Sequence, residues 1–360
     1  SARRMGTDMH RRHFLAGTAA ILAAPAWAEA GAPKYLSAAS DARNATFLVG
    51  LTAEGTELFR LAVPGRGHAA AAHPHRAEAV AFARRPGRFA VILDCASGAE
   101  VGRLDASEAR HFYGHGAYTA DGSLLLTTEN AYDVPDGRIG VWDASDGYKR
   151  IDDLPSGGIG PHEMIRLPGG GFAVANGGIQ THPDFERAKL NLPTMRPNLT
   201  YLSPEGAVVE QVEAPDDQRL NSIRHIDVDG SGRIVAALQW QGNPLQRVPL
   251  LAAHRRGEAI EYLDHPETGR LKQYAGSIAV SADGAEIAVT GPKGGHVIFF
   301  DARTGAPLPG RDLALASGVA RLGEGFAVTV EGGIAMGGSA GLRQVAAAPD
   351  LTWDNHLVAI

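Results

Sequence analysis

Residues 160–177 read GPHEMIRLPGGGFAVANG, which is a short apolar stretch, a turn of glycines and a second apolar stretch. Apolar stretches of about five residues on either side of such a turn predict a β-hairpin. The same unit recurs as GHGAYTADGSLLLTTE at 114–129, RHIDVDGSGRIVAALQ at 224–239, GSIAVSADGAEIAVTG at 276–291 and SGVARLGEGFAVTVEG at 317–332, with a looser copy, EAVAFARRPGRFAVILD, at 78–94. Recurrence at regular intervals predicts a repeat fold.

The segments after these hairpins predict a β-propeller. Segments such as GRIGVWDASDG, NLTYLSPEG and GHVIFFDARTG supply third and fourth strands, as in WD-repeat and quinoprotein-like blades. The C-terminal TWDNHLVAI (352–360) matches a first strand without a hairpin, and residues 34–63 supply strands without a first one. We therefore predict an all-β, seven-bladed propeller whose ring is closed by pairing of the C-terminal strand with N-terminal strands. Two β-sandwich domains are the alternative.

Histidine recurs at one position of the repeat. Aligned on the turn glycine, His115, His162 and His225 each lie seven residues before it, and His356 fills the same position in the last strand. Ser277 and Gly318 take the position in two other copies, and Ala79 or Glu78 is the candidate in the copy at 78–94. First strands line the channel of a propeller, so these histidines are predicted to meet at one mouth.

Convergent imidazoles predict a transition-metal site with His115, His162, His225 and His356 as ligands. Ligation by histidine without cysteine argues against a soft thiolate site, and iron or copper is favoured over zinc. Hydrogen-bonded histidines that only support the strand starts are the alternative. Glu163 directly follows His162 and is predicted to face away from the axis, as a partner that orients a histidine or as an ion pair between blades rather than as a ligand.

Several further polar residues are candidates for supporting the metal or contacting a substrate. Residues 68–78 (HAAAAHPHRAE) precede the copy at 78–94 and contain His68, His73, His75 and Arg76, which either extend a metal or anion site at the same mouth or form a polar loop. Two insertions, 179–199 and 240–260, are longer than a hairpin needs and are predicted either to bind a ligand or to cover the propeller. Their candidates, with the ends of the preceding strands, are Asn176, His182, Asp184, Arg187, Arg196, Gln239, Trp240, Gln241 and Arg247.

The N-terminal region resembles a Tat signal peptide. Arg11 and Arg12 precede a weakly apolar run that ends in Ala26-Trp27-Ala28, so residues 1–28 are predicted to be removed after Ala28 in the periplasm, with an ordinary Sec signal as the alternative. Residues 29–360 are then predicted to form one propeller domain. No later apolar run reaches ~18 residues, so we predict no membrane span. Cys95 is the single cysteine and is interpreted as a buried small residue rather than a nucleophile.

The chain carries a net charge of −6 and has no basic stripe, which argues against a nucleic-acid partner. With the twin arginines, the stretch HPHRAEAVAFARRPGRFAVILDCASG and the repeats at 114–129, 160–177 and 224–239, it resembles an uncharacterised family of Tat-exported bacterial seven-bladed propellers, a domain of unknown function. The resemblance covers essentially the full length. It implies an association with imelysin-type periplasmic proteins and a di-haem protein in iron uptake, and it implies no reaction.

Three functions follow as hypotheses. The first is a periplasmic metal-binding propeller that serves the acquisition of iron or a related metal. The second is a metal-dependent periplasmic enzyme, an oxidoreductase or hydrolase, that uses the same site. The third is a metal-free scaffold that docks an imelysin or a haem protein.

Overall fold

The computed structural model describes residues 33–185 and 188–360, which form 28 strands in seven four-stranded antiparallel sheets. The sheets are the blades of a β-propeller, so the predicted fold and blade number are confirmed. The predicted signal peptide, residues 1–28, and Arg187 lie outside the described residues. Within those residues, no helix combines the length and the apolar character needed to cross a bilayer.

Blades 1 to 4 contain the strands between residues 35 and 213, together with the C-terminal strand, which belongs to blade 1. Blade 1 contains β28 (Thr352–Ala359), β1 (Tyr35–Ser40), β2 (Thr46–Leu51) and β3 (Glu57–Val63). Blade 2 contains β4 (Gly67–Ala72), β5 (Glu78–Ala83), β6 (Phe89–Asp94) and β7 (Ala99–Asp105). Blade 3 contains β8 (Arg110–Tyr118), β9 (Leu124–Ala131), β10 (Asp136–Asp143) and β11 (Lys149–Pro155). Blade 4 contains β12 (Pro161–Arg166), β13 (Phe172–Asn176), β14 (Asn198–Leu202) and β15 (Val208–Glu213).

Blades 5 to 7 complete the ring. Blade 5 contains β16 (Asn221–Val228), β17 (Ile234–Trp240), β18 (Leu251–His254) and β19 (Glu261–Leu263). Blade 6 contains β20 (Ser277–Val280), β21 (Glu286–Gly291), β22 (His296–Asp301) and β23 (Pro307–Asp312). Blade 7 contains β24 (Val319–Leu322), β25 (Gly325–Val330), β26 (Gly333–Gly338) and β27 (Gly341–Ala347). Among the described residues, short 3-10 helices lie at Pro183–Phe185, Leu192–Thr194, Asp216–Gln218 and Thr268–Leu271.

The burial of the strands explains their sequences. The second and third strands of each blade are covered on both faces by neighbouring blades, so β13 (FAVAN) and β14 (NLTYL) are buried at every residue. The outermost strands have one face in water, and β15 (VVEQVE) accordingly mixes exposed and half-buried residues. The innermost strands contact one another in the circular order β4, β8, β12, β16, β20, β24 and β28, with β28 returning to β4.

The ring closes between the two ends of the described chain. Tyr35, Leu36 and Ser37 of β1 pair with Ala359, Val358 and Leu357 of β28, and the Ser37 hydroxyl donates to the carbonyl of His356 at 2.7 Å. The predicted closure by the C-terminal strand is therefore confirmed, and it pairs the inner edge of β1, which would otherwise be open.

The predicted alignment of blade 2 is wrong. The copy at 78–94 consists of β5 and β6, the second and third strands. The innermost strand is β4, which overlaps the segment 68–78 that was expected to extend the site or to form a polar loop and was not predicted to be a strand. The sequence of β4, GHAAAA, has no β-branched or large aromatic residue and so gives a weak strand signal. Ala79 and Glu78 therefore do not occupy the channel position of blade 2.

Candidate metal centre

The five strands that carry the channel histidines all have a bulge beside the histidine. Their ladders skip in register at residues 68–69 of β4, 113–115 of β8, 162 of β12, 224 of β16 and 354–356 of β28. The innermost strands of blades 6 and 7, which carry no histidine there, pair with their neighbours without a skip. A bulge re-aims side chains and interrupts the alternation of faces. Here the bulges turn five side chains towards one point.

These five histidines come from five consecutive blades and form one cluster, which we call the histidine ring. Its members are His356, His68, His115, His162 and His225. The ring centroids of His68, His115 and His225 each lie within 6.4 Å of those of all the other members, and the shortest separation, 4.3 Å, is between His68 and His356. One ligand nitrogen each from His68, His115, His162 and His356 lies within 4.8 Å of the others. This group contains three of the four predicted residues and adds His68. The fourth predicted residue, His225, lies beside the group, with its Nε2 atom 3.3 Å from that of His162.

The Nε2 atoms form the inner side of the histidine ring. His68 Nε2 lies 3.2 Å from His356 Nε2, and His162 Nε2 lies 3.3 Å from His225 Nε2. The Nε2 atom of His115 is buried and has no hydrogen-bond partner. A buried polar atom without a partner costs free energy, about 1–3 kcal/mol, unless a ligand supplies the contact. The inner side of the histidine ring thus contains one nitrogen atom, Nε2 of His115, that the protein itself does not satisfy.

Two carboxylates hold the outer nitrogens of three of these imidazoles. Asp354 accepts from His68 Nδ1 at 3.1 Å, and Glu163 lies 3.3 Å from His115 Nδ1 and 3.2 Å from His225 Nδ1. A carboxylate on Nδ1 keeps the proton there and leaves the lone pair of Nε2 directed inwards. This arrangement is the usual one around metal-bound histidines, where the carboxylate orients the ring and raises its basicity.

Glu163 lies where the sequence expected a supporting carboxylate, although not for the predicted reason. Because His162 is the bulged residue of β12, simple alternation of faces does not apply, and the Glu163 carboxylate reaches between two histidines of neighbouring blades. It also accepts from the backbone N–H of Ile226 at 2.9 Å. His115, Glu163 and His225 bring three ligand atoms within 4.8 Å as well, so Glu163 is a second candidate ligand. Its contacts with both Nδ1 atoms favour the supporting role.

Burial favours the neutral form of four members of the histidine ring, namely His68, His162, His225 and His356. His68, His115, His225 and His356 are buried and His162 is half-buried. Burial lowers the pKa of His68 to about 3, although Asp354 opposes the shift, and it also lowers the pKa of His162, His225 and His356 from the ordinary value. Neutral imidazole is the form that binds metal ions. The pKa of Glu163 is held well below its usual range by His115 and His225, against the opposing effect of burial.

Asp354 is the part of the site that the sequence did not predict. His68 was expected only within the segment 68–78, as an extension of the site or part of a polar loop, and not as one of the four ligands. The Asp354 carboxylate also receives Arg66 Nε at 2.7 Å and Arg84 Nη1 at 2.8 Å, so it is fixed in place by two cations besides His68. One sequence feature could have indicated each of these two residues. Asp354 lies two positions before His356 on the same strand, and His68 precedes an alanine run of strand length.

The prediction that His73, His75 and Arg76 lie at the mouth of the ring is wrong. They follow β4, whereas His68 lies at its start, so the strand separates them. His73 Nε2 contacts the carbonyl of Gly122 and His75 Nε2 that of Ala120, both in the turn after β8. Arg76 donates to Glu78 at 2.7 Å. The three residues therefore belong to the opposite end of the channel-lining strands.

The other predicted supporting residues make contacts away from the histidine ring. Asn176 is buried and binds Ser156, Asn198 and Thr200 through its amide. Gln239 donates to the carbonyl of Ala275, and the Trp240 indole donates to that of Asn243. His182 of the first insertion lies 3.4 Å from Asp133. Any role for them with a substrate stays a prediction.

Residues 61–360 match a single protein family. The chain belongs to the DUF1513 family, whose members are described as proteins of unknown function. No curated protein matches the chain. Membership covers all seven innermost strands and therefore the whole histidine ring.

Solved structures similar to this DUF1513 protein share its fold. Hydrazine synthase of Kuenenia stuttgartiensis is 13% identical, with a TM-score of 0.53 over 80% of this chain and 80% of that chain. The Cps50 (Swd1) β-propeller domain of Myceliophteria thermophila is 14% identical, with a TM-score of 0.52 over 80% of this chain and 87% of that chain. At these identities the likeness shows the propeller fold alone.

Proposed function

We propose that this DUF1513 protein is a metal-binding β-propeller that holds one transition-metal ion in the histidine ring. The observation that carries the proposal is the orientation of the imidazoles. Asp354 and Glu163 hold the Nδ1 atoms of His68, His115 and His225, and their Nε2 atoms face inwards, where that of His115 has no partner. The donors are nitrogen atoms, which suit iron, copper, zinc or nickel, and we favour iron or copper.

We further propose that the protein acts in the periplasm in the acquisition of iron or a related metal. The support for this role is the resemblance to exported propellers that are associated with imelysin-type proteins and a haem protein, together with the twin-arginine segment at Arg11 and Arg12. A set of five imidazoles, four of them buried, fits a protein that retains or hands over a metal.

A metal-dependent enzyme is the second candidate. His162 is half-buried while the other four imidazoles are buried, so it marks the side from which an exogenous ligand can reach the metal. Catalytic metal sites keep such an open position. Retention is favoured over catalysis because four of five imidazoles are enclosed by the blades. Slow metal loss without turnover would support retention.

The experiment is elemental analysis of the purified protein and of two histidine variants. We expect about one equivalent of transition metal in the wild-type chain. His115→Ala removes a donor whose Nε2 atom has no other partner, and we expect metal occupancy to fall by at least tenfold. His75→Ala is the matched control because His75 lies at the other end of the innermost strands, and it should leave occupancy unchanged. Metal-free wild-type protein that does not take up iron, copper or zinc would overturn the proposal.

A further inference from the structure

Arg224 is a buried cation beside the histidine ring for which the structure shows no anion. It is the bulged residue of β16, directly before His225, and is 7% exposed. Its Nη1 atom lies 3.5 Å from His162 Nδ1, and its Nε atom is buried without a hydrogen-bond partner. Among the described residues, no carboxylate lies within ion-pair distance of it. A buried guanidinium is normally paired, because an unpaired buried charge is costly.

More positive charge surrounds Arg224 at this mouth of the channel. Burial, followed by the charge of Arg85, lowers the pKa of Arg224 to about 10. Lys189, from the first insertion, has a pKa lowered by partial burial and by the charges of Arg224, Lys293 and Arg85. The acids nearby are engaged, since Asp354 pairs with Arg66 and Arg84 and Glu163 contacts His115 and His225. The mouth is therefore locally positive although the chain carries a net charge of −6.

Binding of a metal to His162 would increase the need for a hydrogen-bond acceptor beside Arg224. Without metal, Arg224 Nη1–H donates to the lone pair of His162 Nδ1, which places the imidazole proton on Nε2, facing His225. Coordination through Nε2 moves that proton to Nδ1. His162 Nδ1–H and Arg224 Nη1–H would then both be donors facing each other. An acceptor between them resolves the conflict.

From these observations we propose that the histidine ring binds its metal together with a small oxyanion, which is held by Arg224 and by His162 Nδ1–H at the half-buried side of the ring. The oxyanion is a carboxylate or a phosphate, since both match the guanidinium fork with two oxygen atoms. Lys189 places a further positive charge near the same mouth. This inference rests on the proposed metal-binding function and assigns a co-ligand to it.

The test uses the full chain loaded with Cu²⁺, which nitrogen sites bind most tightly among the divalent first-row ions. Malonate and inorganic phosphate are titrated separately while the electron paramagnetic resonance spectrum of the copper is recorded. We expect a saturable spectral change with at least one anion. Copper content after desalting separates anion binding from removal of copper by the anion.

Two variants and one control make the test specific. Arg224→Gln should weaken the apparent anion affinity about tenfold or more, because it removes the charge and the fork. Arg224→Lys keeps the positive charge but lacks the two-pronged guanidinium, and it should also weaken the anion affinity. Arg196→Gln changes an exposed arginine of the same insertion, whose side chain is 60% exposed, and should have no effect.

Each outcome decides the inference. A change with malonate alone identifies a carboxylate, and a change with phosphate alone identifies a phosphate. If the spectrum of the copper-loaded protein changes with neither anion, the proposed oxyanion subsite is wrong. The same holds if Arg224→Gln leaves the anion affinity unaltered. Either result leaves the proposed metal site unaffected. A protein that does not bind copper or any other transition metal overturns the proposed function and the co-ligand with it.

Discussion

The Asp354 carboxylate lies 3.1 Å from the Nδ1 atom of His68, and the two residues belong to neighbouring blades on either side of the ring closure. The contact links the C-terminal strand, which also carries His356, to the innermost strand of blade 2. Closure of the fold and orientation of a candidate metal ligand therefore depend on the same carboxylate.

Asp354→Asn is expected to weaken metal binding by about 10- to 100-fold, as loss of a carboxylate on a metal-bound histidine usually does. Stability should fall too, because Arg66 and Arg84 lose their anion. Asp153→Asn is the control, since Asp153 receives Arg110, Arg138 and Arg150 in blade 3 away from the histidine ring. Competition with a metal indicator should show weaker binding for Asp354→Asn alone. Equal metal affinities in the two variants would contradict the role of Asp354.

Gly114→Ala is expected to disturb the histidine ring through His68. Gly114 has φ +103°, and a Cβ atom there would lie 2.4 Å from Cδ2 of His68. Gly284, with φ +70° and open space around it, is the matched control. Both alanine variants should lose about 1–3 kcal/mol of unfolding free energy from backbone strain. Only Gly114→Ala should also lose metal, measured as occupancy after dialysis, and unchanged occupancy would mean that the position of His68 does not matter.

Removal of the metal by a chelator is expected to lower the melting temperature. An ion that binds only the folded state stabilises it by about 2.7 kcal/mol at a free concentration one hundred times Kd. Differential scanning calorimetry of His115→Ala provides the control, because its melting temperature should not respond to the chelator. A response of the same size in wild type and His115→Ala would place the stabilising ion elsewhere.

Cys95 is expected to be unreactive in the folded protein. The side chain is fully buried, and burial raises the pKa of its thiol to about 12, so hardly any thiolate exists at pH 8. A chromogenic disulfide reagent should react with no thiol in the native protein and with one thiol per chain in urea. Rapid reaction of the native protein would contradict the interpretation of Cys95 as a buried small residue.

The sequence predicted the fold because each blade repeats a hairpin with glycine in its turn, and the same repeat placed His115, His162, His225 and His356 at one mouth. The assignment of strands was wrong in blade 2, because the alanine-rich β4 has a weak strand signal whereas β5 and β6 have the sequence pattern of the repeated hairpin. His68 was consequently not aligned with the other four histidines, and the sequence left open whether it extends the site or belongs to a polar loop. His73, His75 and Arg76 were placed at the wrong end.

The supporting groups could not be derived from spacing alone. Bulges in the innermost strands decide where Glu163, Arg224 and Asp354 point, and a bulge changes the facing of side chains without a fixed sequence signature. Contacts between neighbouring blades, such as that of Glu163 with His115 and His225, depend on how the blades are placed around the axis.

The most direct test is a crystal structure of the metal-loaded protein with anomalous scattering data collected at the absorption edges of iron, copper and zinc. The account predicts one anomalous peak on the channel axis, about 2.0–2.2 Å from the Nε2 atoms of at least three histidines of the ring. A histidine ring without an anomalous peak in protein that elemental analysis shows to contain metal would contradict the central claim.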